Sequence, residues 1–307
     1  DGLPVSANWD EVAQHVPIAV AERARVAADA QSVDLLISVG GGSTTGLAKA
    51  VALTTGLPII AVPTTYAGSE ATNVWGLTEE ARKTVGVDPR VLPSTVVYDA
   101  QLTLTLPIEM SVASGLNAIA HCIDSFWAPR ADPINGALAA EGIRALAAAL
   151  RSISTEPQGI DGREQALYGC YLAAVAFASA GSGMHHKICH VLGGTYNLPH
   201  AETHATILPY VLAFNSPFAP TAATRIAQAF GATDAVLGLA DLKAEVSAPR
   251  ALRDYGFDES SIAEAAQLCA DAIPGSNPAP VTAQALETLL HDAWEGATPT
   301  IQNGAVR

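Results

Sequence analysis

Apolar residues recur at helical spacing between Asp10 and Ala30, at Val12, Val16, Ile18, Val20 and Val26, which predicts an amphipathic helix. The run Val33–Val39, VDLLISV, has no polar alternation and ends in Gly40-Gly41-Gly42. Residues 43–53 return to a helical pattern, 57–62 form a second strand-like run halted by Pro63, and 91–98 form a third followed by Asp99. Strands that are apolar on both faces, joined by helices, predict a parallel sheet covered on both sides. Beyond Pro107 the strand signals almost vanish. Ala- and Leu-rich amphipathic stretches follow at about 109–127, 133–152, 163–182, 183–194, 203–214, 219–229, 235–246, 259–272 and 282–293. The pattern therefore predicts an α/β domain over 1–107 followed by an all-α domain over 108–307. A doubly wound α/β domain opens on a strand, whereas this sequence opens on a polar, turn-like stretch. The first one or two strands of the sheet are expected to lie outside it.

Composition agrees with two packed domains: 307 residues, 49% hydrophobic and 15% charged, exceed what one core usually serves. Sixteen basic against thirty acidic side chains give a net charge of −14, which repels polyanions and excludes nucleic acid as a partner. Cys122, Cys170, Cys189 and Cys269 are widely spaced and form no CxxC pair, a pattern suited to reduced thiols in the cytoplasm. No apolar run reaches the ~18 residues that a membrane span needs, and no secretory leader opens the sequence. A cytoplasmic chain without a membrane partner is expected.

Two loops carry the first chemical signal. Gly40-Gly41-Gly42-Ser43 sits between a strand and a helix, where glycines admit a phosphate and the helix N-terminus presents unpaired N–H groups. The next strand ends in Pro63-Thr64-Thr65-Tyr66-Ala67-Gly68-Ser69, a second hydroxyl- and glycine-rich loop at a strand's C-terminal edge, where open α/β sheets bind ligands. A lone triple glycine is also a plain tight turn, and it is not the GxGxxG fingerprint. The two loops together favour a dinucleotide site in the α/β domain.

Histidines carry the second signal. Five of the eight lie between His185 and His204. Asn117 and His121, His186 and His190, and His200 and His204 are three pairs at four-residue spacing, each projecting from one helix face. A single helical histidine is more often a satisfied core group, but three such pairs predict a shared cleft. It could hold a transition metal, or imidazoles and Lys187 could donate hydrogen bonds to an anionic substrate and a developing oxyanion. Asn117 is a poor ligand for a divalent ion, and Asp124 lies off its face, so the hydrogen-bonding pocket is favoured.

These motifs together resemble the iron-type alcohol dehydrogenase superfamily over about residues 33–296. Within it GGGSTTGLAKA (40–50), VPTTYAGSEATNVWGLTEEARKTVG (62–86), DPRVLP (88–93), GLNAIAHCIDSFWAP (115–129), HHKICHVLGG (185–194) and LPHAETHATILPY (198–210) are similar to the maleylacetate reductases. The resemblance implies that Gly40, Gly41, Gly42 and Ser43 hold the cofactor pyrophosphate. Thr64, Thr65 and Ser69 would line its adenosine and ribose side, with Lys83 near the nicotinamide ribose. The family's metal shell, one Asp and three His, maps to Asn117, His121, His190 and His200, with an amide replacing the carboxylate. Gly46 likewise replaces an aspartate of the glycine motif. Both departures imply that no metal is obligatory. The activity implied is NADH- or NADPH-dependent reduction of the C=C bond of maleylacetate, a small keto-dicarboxylate, to 3-oxoadipate in the catabolism of aromatic compounds, by a homodimer. His121, His190 and His200 would surround the reacting carbonyl, while His186, Lys187, Tyr66 and His204 would hold the carboxylates. The competing expectations are an iron- or zinc-dependent alcohol or polyol dehydrogenase and a nucleotide-binding protein without catalysis.

Overall fold

A computed structural model describes residues 5–79 and 82–299. Helix α1 (Ile18–Ala30) is shorter than the periodicity predicts. His15 and Val16 take left-handed φ of 61° and 48° ahead of Pro17, and a left-handed pair cannot continue a helix. Strands β1 (Leu36–Gly40) and β2 (Ile59–Pro63) flank α2 (Gly42–Thr55). They pair in parallel, with Gly40 opposite Pro63 and the Thr64 N–H bonded to the Gly40 carbonyl at 3.0 Å. That register brings the glycine loop and the Thr64–Ser69 loop out at one edge of the sheet.

Two further strands, β3 (Val74–Glu79) and β4 (Arg82–Val87), form an antiparallel hairpin where the hydrophobic pattern carries no strand signal. In it Trp75 lies opposite Gly86, where a side chain would meet the indole at 2.5 Å. The third predicted strand shrinks to β5 (Thr95–Val96), parallel to β2. Pro89 and Pro93 have no N–H to offer the ladder, so the pairing begins only beyond them. The sheet order is β1-β2-β5.

The helical part follows the predicted stretches: α3 (Ile108–Asp124), α4 (Pro133–Thr155), α5 (Ile160–Ala180), α6 (Met184–Tyr196), α7 (His200–Asn215), α8 (Pro220–Phe230), α9 (Ala235–Glu245), α10 (Ile262–Ala272) and α11 (Ala283–Glu295). Every residue of α3 from Ser111 to Asp124 is buried, as expected of a helix with apolar or small residues on all sides. Glycines let the helices approach closely: a Cβ at Gly142 of α4 would lie 2.7 Å from Cys122 of α3, and one at Gly169 of α5 would lie 2.8 Å from Leu146 of α4. Gly181, at φ 91°, helps the chain turn through 97° between α5 and α6. No single described helix is long and apolar enough to cross a membrane.

Candidate active site

A cleft of about 480 Å³ runs from the sheet edge to the helical part and is lined by Gly41, Gly42, Ser43, Thr65 and Ser69 on one side. Asn117, His121, His186, His190 and His200 line the other. The size is that of an ordinary small-molecule site.

The loop side is built for close approach. Gly41 is the N-cap of α2, and a Cβ there would lie 2.9 Å from Thr65. The two loops therefore touch, and the first N–H groups of α2 face the cleft without a side-chain cap. The Gly46 position, where the resemblance expects an aspartate, has no room for one: a Cβ would meet Val16 at 2.9 Å. Beneath the loop the Lys49 ammonium is fully buried and donates to the carbonyls of Ser69, Thr72 and Val74 at 2.6–2.9 Å and to the Thr72 hydroxyl at 3.0 Å. Burial lowers its pKa to about 7, against the upward pull of Glu70.

On the helical side, α3 supplies Asn117 and His121, α6 supplies His186 and His190, and α7 opens with His200. The rings of His121, His186 and Phe177 form a triangle with centroids 4.3–4.8 Å apart. His186 lies 6.1 Å from His190 and 4.9 Å from His204, which in turn lies 4.3 Å from His200. Burial holds His121 well below its ordinary pKa and His186 at about 3, so both rings are neutral at pH 7. Asn117 Oδ1, His121 Nδ1 and His186 Nε2 are buried without a hydrogen-bond partner. Such atoms are rare in folded proteins, and here they border an open cleft.

Several expected site residues lie elsewhere. Tyr66 is fully buried, its hydroxyl meets Thr103 at 3.3 Å and accepts from Arg163 at 3.1 Å, and it does not line the cleft. His204 is also fully buried, below His200, with its Nδ1 3.0 Å from His185 Nε2. Lys187 follows His186 by one residue, about 100° around the helix, and does not line the cleft. Gly40 and Thr64 are bonded to one another behind the lining. Lys83 pairs through its backbone with Thr78, and its side chain lies outside the described residues. Conversely, His15, Trp75, Phe177 and Glu202 line the cleft without any signal in the sequence reading. No lysine or arginine is found among the described lining residues.

The positions that match the family's metal shell all line the cleft, but they do not converge as ligands. Among the described residues, the one trio of His, Cys or carboxylate ligand atoms within 4.8 Å of one another is His185, Cys189 and His204. That trio is fully buried behind the cleft, and the His185–His204 hydrogen bond already occupies it. Asn117 puts an amide where the family's shell has a carboxylate, and His121, His190 and His200 do not form such a trio.

Comparison with known proteins adds what geometry cannot. The family model "Iron-containing alcohol dehydrogenase" matches residues 1–100, and "Fe-containing alcohol dehydrogenase family, C-terminal" matches residues 111–294. A maleylacetate reductase of Burkholderia cepacia is 47% identical over 93% of the chain and 81% of its own length. The structure of an iron-containing alcohol dehydrogenase from Corynebacterium glutamicum superposes with a TM-score of 0.91 at 63% identity, over 97% of this chain and 82% of that one. The maleylacetate reductase of Rhizobium sp. strain MTP-10005 superposes with a TM-score of 0.89 at 43% identity, over 96% and 83%.

Proposed function

The chain belongs to the iron-containing alcohol dehydrogenase family, and from that premise we propose that it is an NADH- or NADPH-dependent reductase converting maleylacetate to 3-oxoadipate. The observation that carries the reading is the donor set of the cleft. An amide and four imidazoles, three of their buried atoms unpartnered, face the glycine loop across a cavity without a converging metal shell. A keto-dicarboxylate offers these groups five oxygen atoms. The named relatives above support the same substrate.

A bound nicotinamide would supply a hydride for the alkene carbon β to the ketone, leaving an enolate whose α-carbon takes a proton as the ketone re-forms. Gly41–Ser43 at the start of α2 would hold its pyrophosphate, and Thr65 and Ser69 its ribose side. His121 and His200 donate hydrogen bonds to the enolate oxygen, and preorganised donors of this kind contribute about 2.7–4 kcal/mol each in a water-poor site. No lysine or arginine neutralises the carboxylates among the described lining residues. The positive ends of α2 and α7, each worth roughly half an elementary charge, supply the potential instead. The reading carries with it a cytoplasmic homodimer.

The test is loss of NADH absorbance on mixing maleylacetate with enzyme freed of metal by a chelator. Turnover at the untreated rate is expected. Loss of turnover that zinc or iron restores would instead favour the metal-dependent alcohol dehydrogenase reading, to which the 63% identical Corynebacterium glutamicum protein lends weight.

A further inference from the structure

Asp124 lies one turn beyond His121 at the end of α3, is fully buried, and faces the start of α6 rather than the cleft. Its carboxyl accepts the backbone N–H groups of Gly183, His185 and His186 at 3.1–3.4 Å. Oδ2 also lies 2.7 Å from His186 Nδ1, a contact in which both side chains are almost wholly buried. The site is shaped around this carboxyl: a Cβ on Gly183 would sit 2.7 Å from Oδ1. Burial pushes Asp124 above its ordinary range, and the three backbone donors, aided by the positive end of α6, pull it back toward the carboxylate. Three N–H donors aimed at one carboxyl leave it in the role of acceptor, so the proton on the shared contact belongs to Nδ1. The other nitrogen of that ring, Nε2, is buried without a partner on a residue that lines the cleft. His121 and Phe177, packed against the ring at 4.8 and 4.3 Å, oppose its flipping.

We propose that Asp124 is the positioning residue for proton transfer: it holds Nδ1–H of His186, so that this ring gains and loses its working proton at Nε2, facing the substrate. The inference rests on the reductase reading above and names the proton donor within it. The balance is closed. A proton from solvent enters at the bare Nε2 and makes the ring an imidazolium; the enolate left by hydride addition then takes that proton at its α-carbon, the ketone is restored, and the ring returns to its neutral Nδ1–H form. Asp124 compensates the imidazolium in between, as a buried carboxylate does for a catalytic histidine in other enzymes. Neither the family's metal shell nor the histidine spacing points to this residue, because Asp124 acts through another side chain.

The experiment uses full-length enzyme with ¹⁵N-labelled histidine, the His186 signals being assigned by their loss in His186→Asn. The wild-type spectrum is expected to show a protonated Nδ1 and a bare Nε2 on His186. Asp124→Asn presents an amide N–H to Nδ1 and should reverse the tautomer. It should also lower kcat by at least about 10²-fold, the direction seen when a buried carboxylate partner of a catalytic histidine is made an amide. NADH affinity should stay within about twofold, and Asp124→Glu should recover part of the loss. A wild-type ring protonated at Nε2 would overturn the proposal, as would unchanged turnover in Asp124→Asn. If Asp124→Asn does not fold, the wild-type tautomer decides alone. Should the wild type fail to reduce maleylacetate, the reductase reading falls, while the spectrum still decides how Asp124 holds the ring.

Discussion

His121 shares a triangle of rings with His186 and Phe177, and the bare α-carbon of Gly68 lies against its remaining edge. A Cβ at Gly68 would approach His121 Nδ1 to 3.4 Å, Cys170 to 3.5 Å and Ala174 to 3.2 Å, at a backbone φ of 77°. Gly68→Ala should therefore destabilise the fold by about 1–2 kcal/mol, the cost of a left-handed L-residue, and should also reduce kcat by displacing His121. A melting curve and a rate measured on one preparation check both. Replacement of His121 itself by Ala should reduce kcat about 10²- to 10³-fold and leave NADH binding, followed by fluorescence titration, close to wild type. Near-normal turnover would remove His121 from the enolate. At this scale the sequence was informative about which side chains converge, since four-residue spacing places a pair on one helix face whatever the tertiary context. It said little about orientation. Tyr66 stands in a loop that touches the cleft, yet its hydroxyl turns inward to Arg163, a partner 97 residues away that local pattern cannot reveal. His186 and His204 likewise share a spacing logic with their partners, and both are buried, but only His186 lines the cleft.

Among the elements, α2 does more than present its N-terminus to a phosphate. About two turns further on, Lys49 fastens the following loop to it through three carbonyls and a hydroxyl. Lys49→Met takes the ammonium from these buried acceptors, of which the Ser69 carbonyl keeps its bonds from Thr72. A buried acceptor left unmade costs about 1–3 kcal/mol, so a loss of at least that size in urea unfolding is expected, together with a raised KM for NADH as Ser69 loosens. Unchanged KM would mean that the loop keeps its place without the ammonium. Helix positions were legible because amphipathic Ala- and Leu-rich stretches of 11 to 23 residues leave little choice of structure. The β3–β4 hairpin was not, since its strands are half-exposed and carry Gly76, Gly86 and a charged tip. Its register depends on Trp75 covering Gly86, a cross-strand pairing with no counterpart in periodicity. The helix predicted from Asp10 failed at its start for a different reason: two left-handed residues, His15 and Val16, are held by hydrogen bonds from Thr78, 63 residues beyond His15.

For the molecule as a whole, four buried imidazoles set the response to acid. Burial holds His185 and His186 at about 3 and His121 and His204 well below 6.5. Between pH 6.5 and about 3 the unfolded chain binds protons at these rings and the folded chain does not, so stability is lost as pH falls through that window. The slope is at most about 1.4 kcal/mol per pH unit for each ring. Glu70 and Asp124, raised by burial, act in the opposite sense at the acid end. The melting temperature should drop steeply between pH 7 and pH 5, and His204→Asn should flatten the drop. Equal slopes in the two proteins would show that His204 is not buried neutral.

The loop between Pro63 and Thr72 is covalently part of the α/β portion, yet its side chains are anchored in helices that follow it. Tyr66 is bonded to Arg163, Glu70 is in contact with Cys170 and bonded to Tyr98, and Gly68 abuts His121. For recombination between relatives a crossover at Pro107, after which the described elements are helices, is therefore the wrong place to cut. A chimera joined there inherits a loop from one parent and its sockets from the other. Shuffled enzymes should regain stability only when positions 163 and 170 travel with residues 63–72.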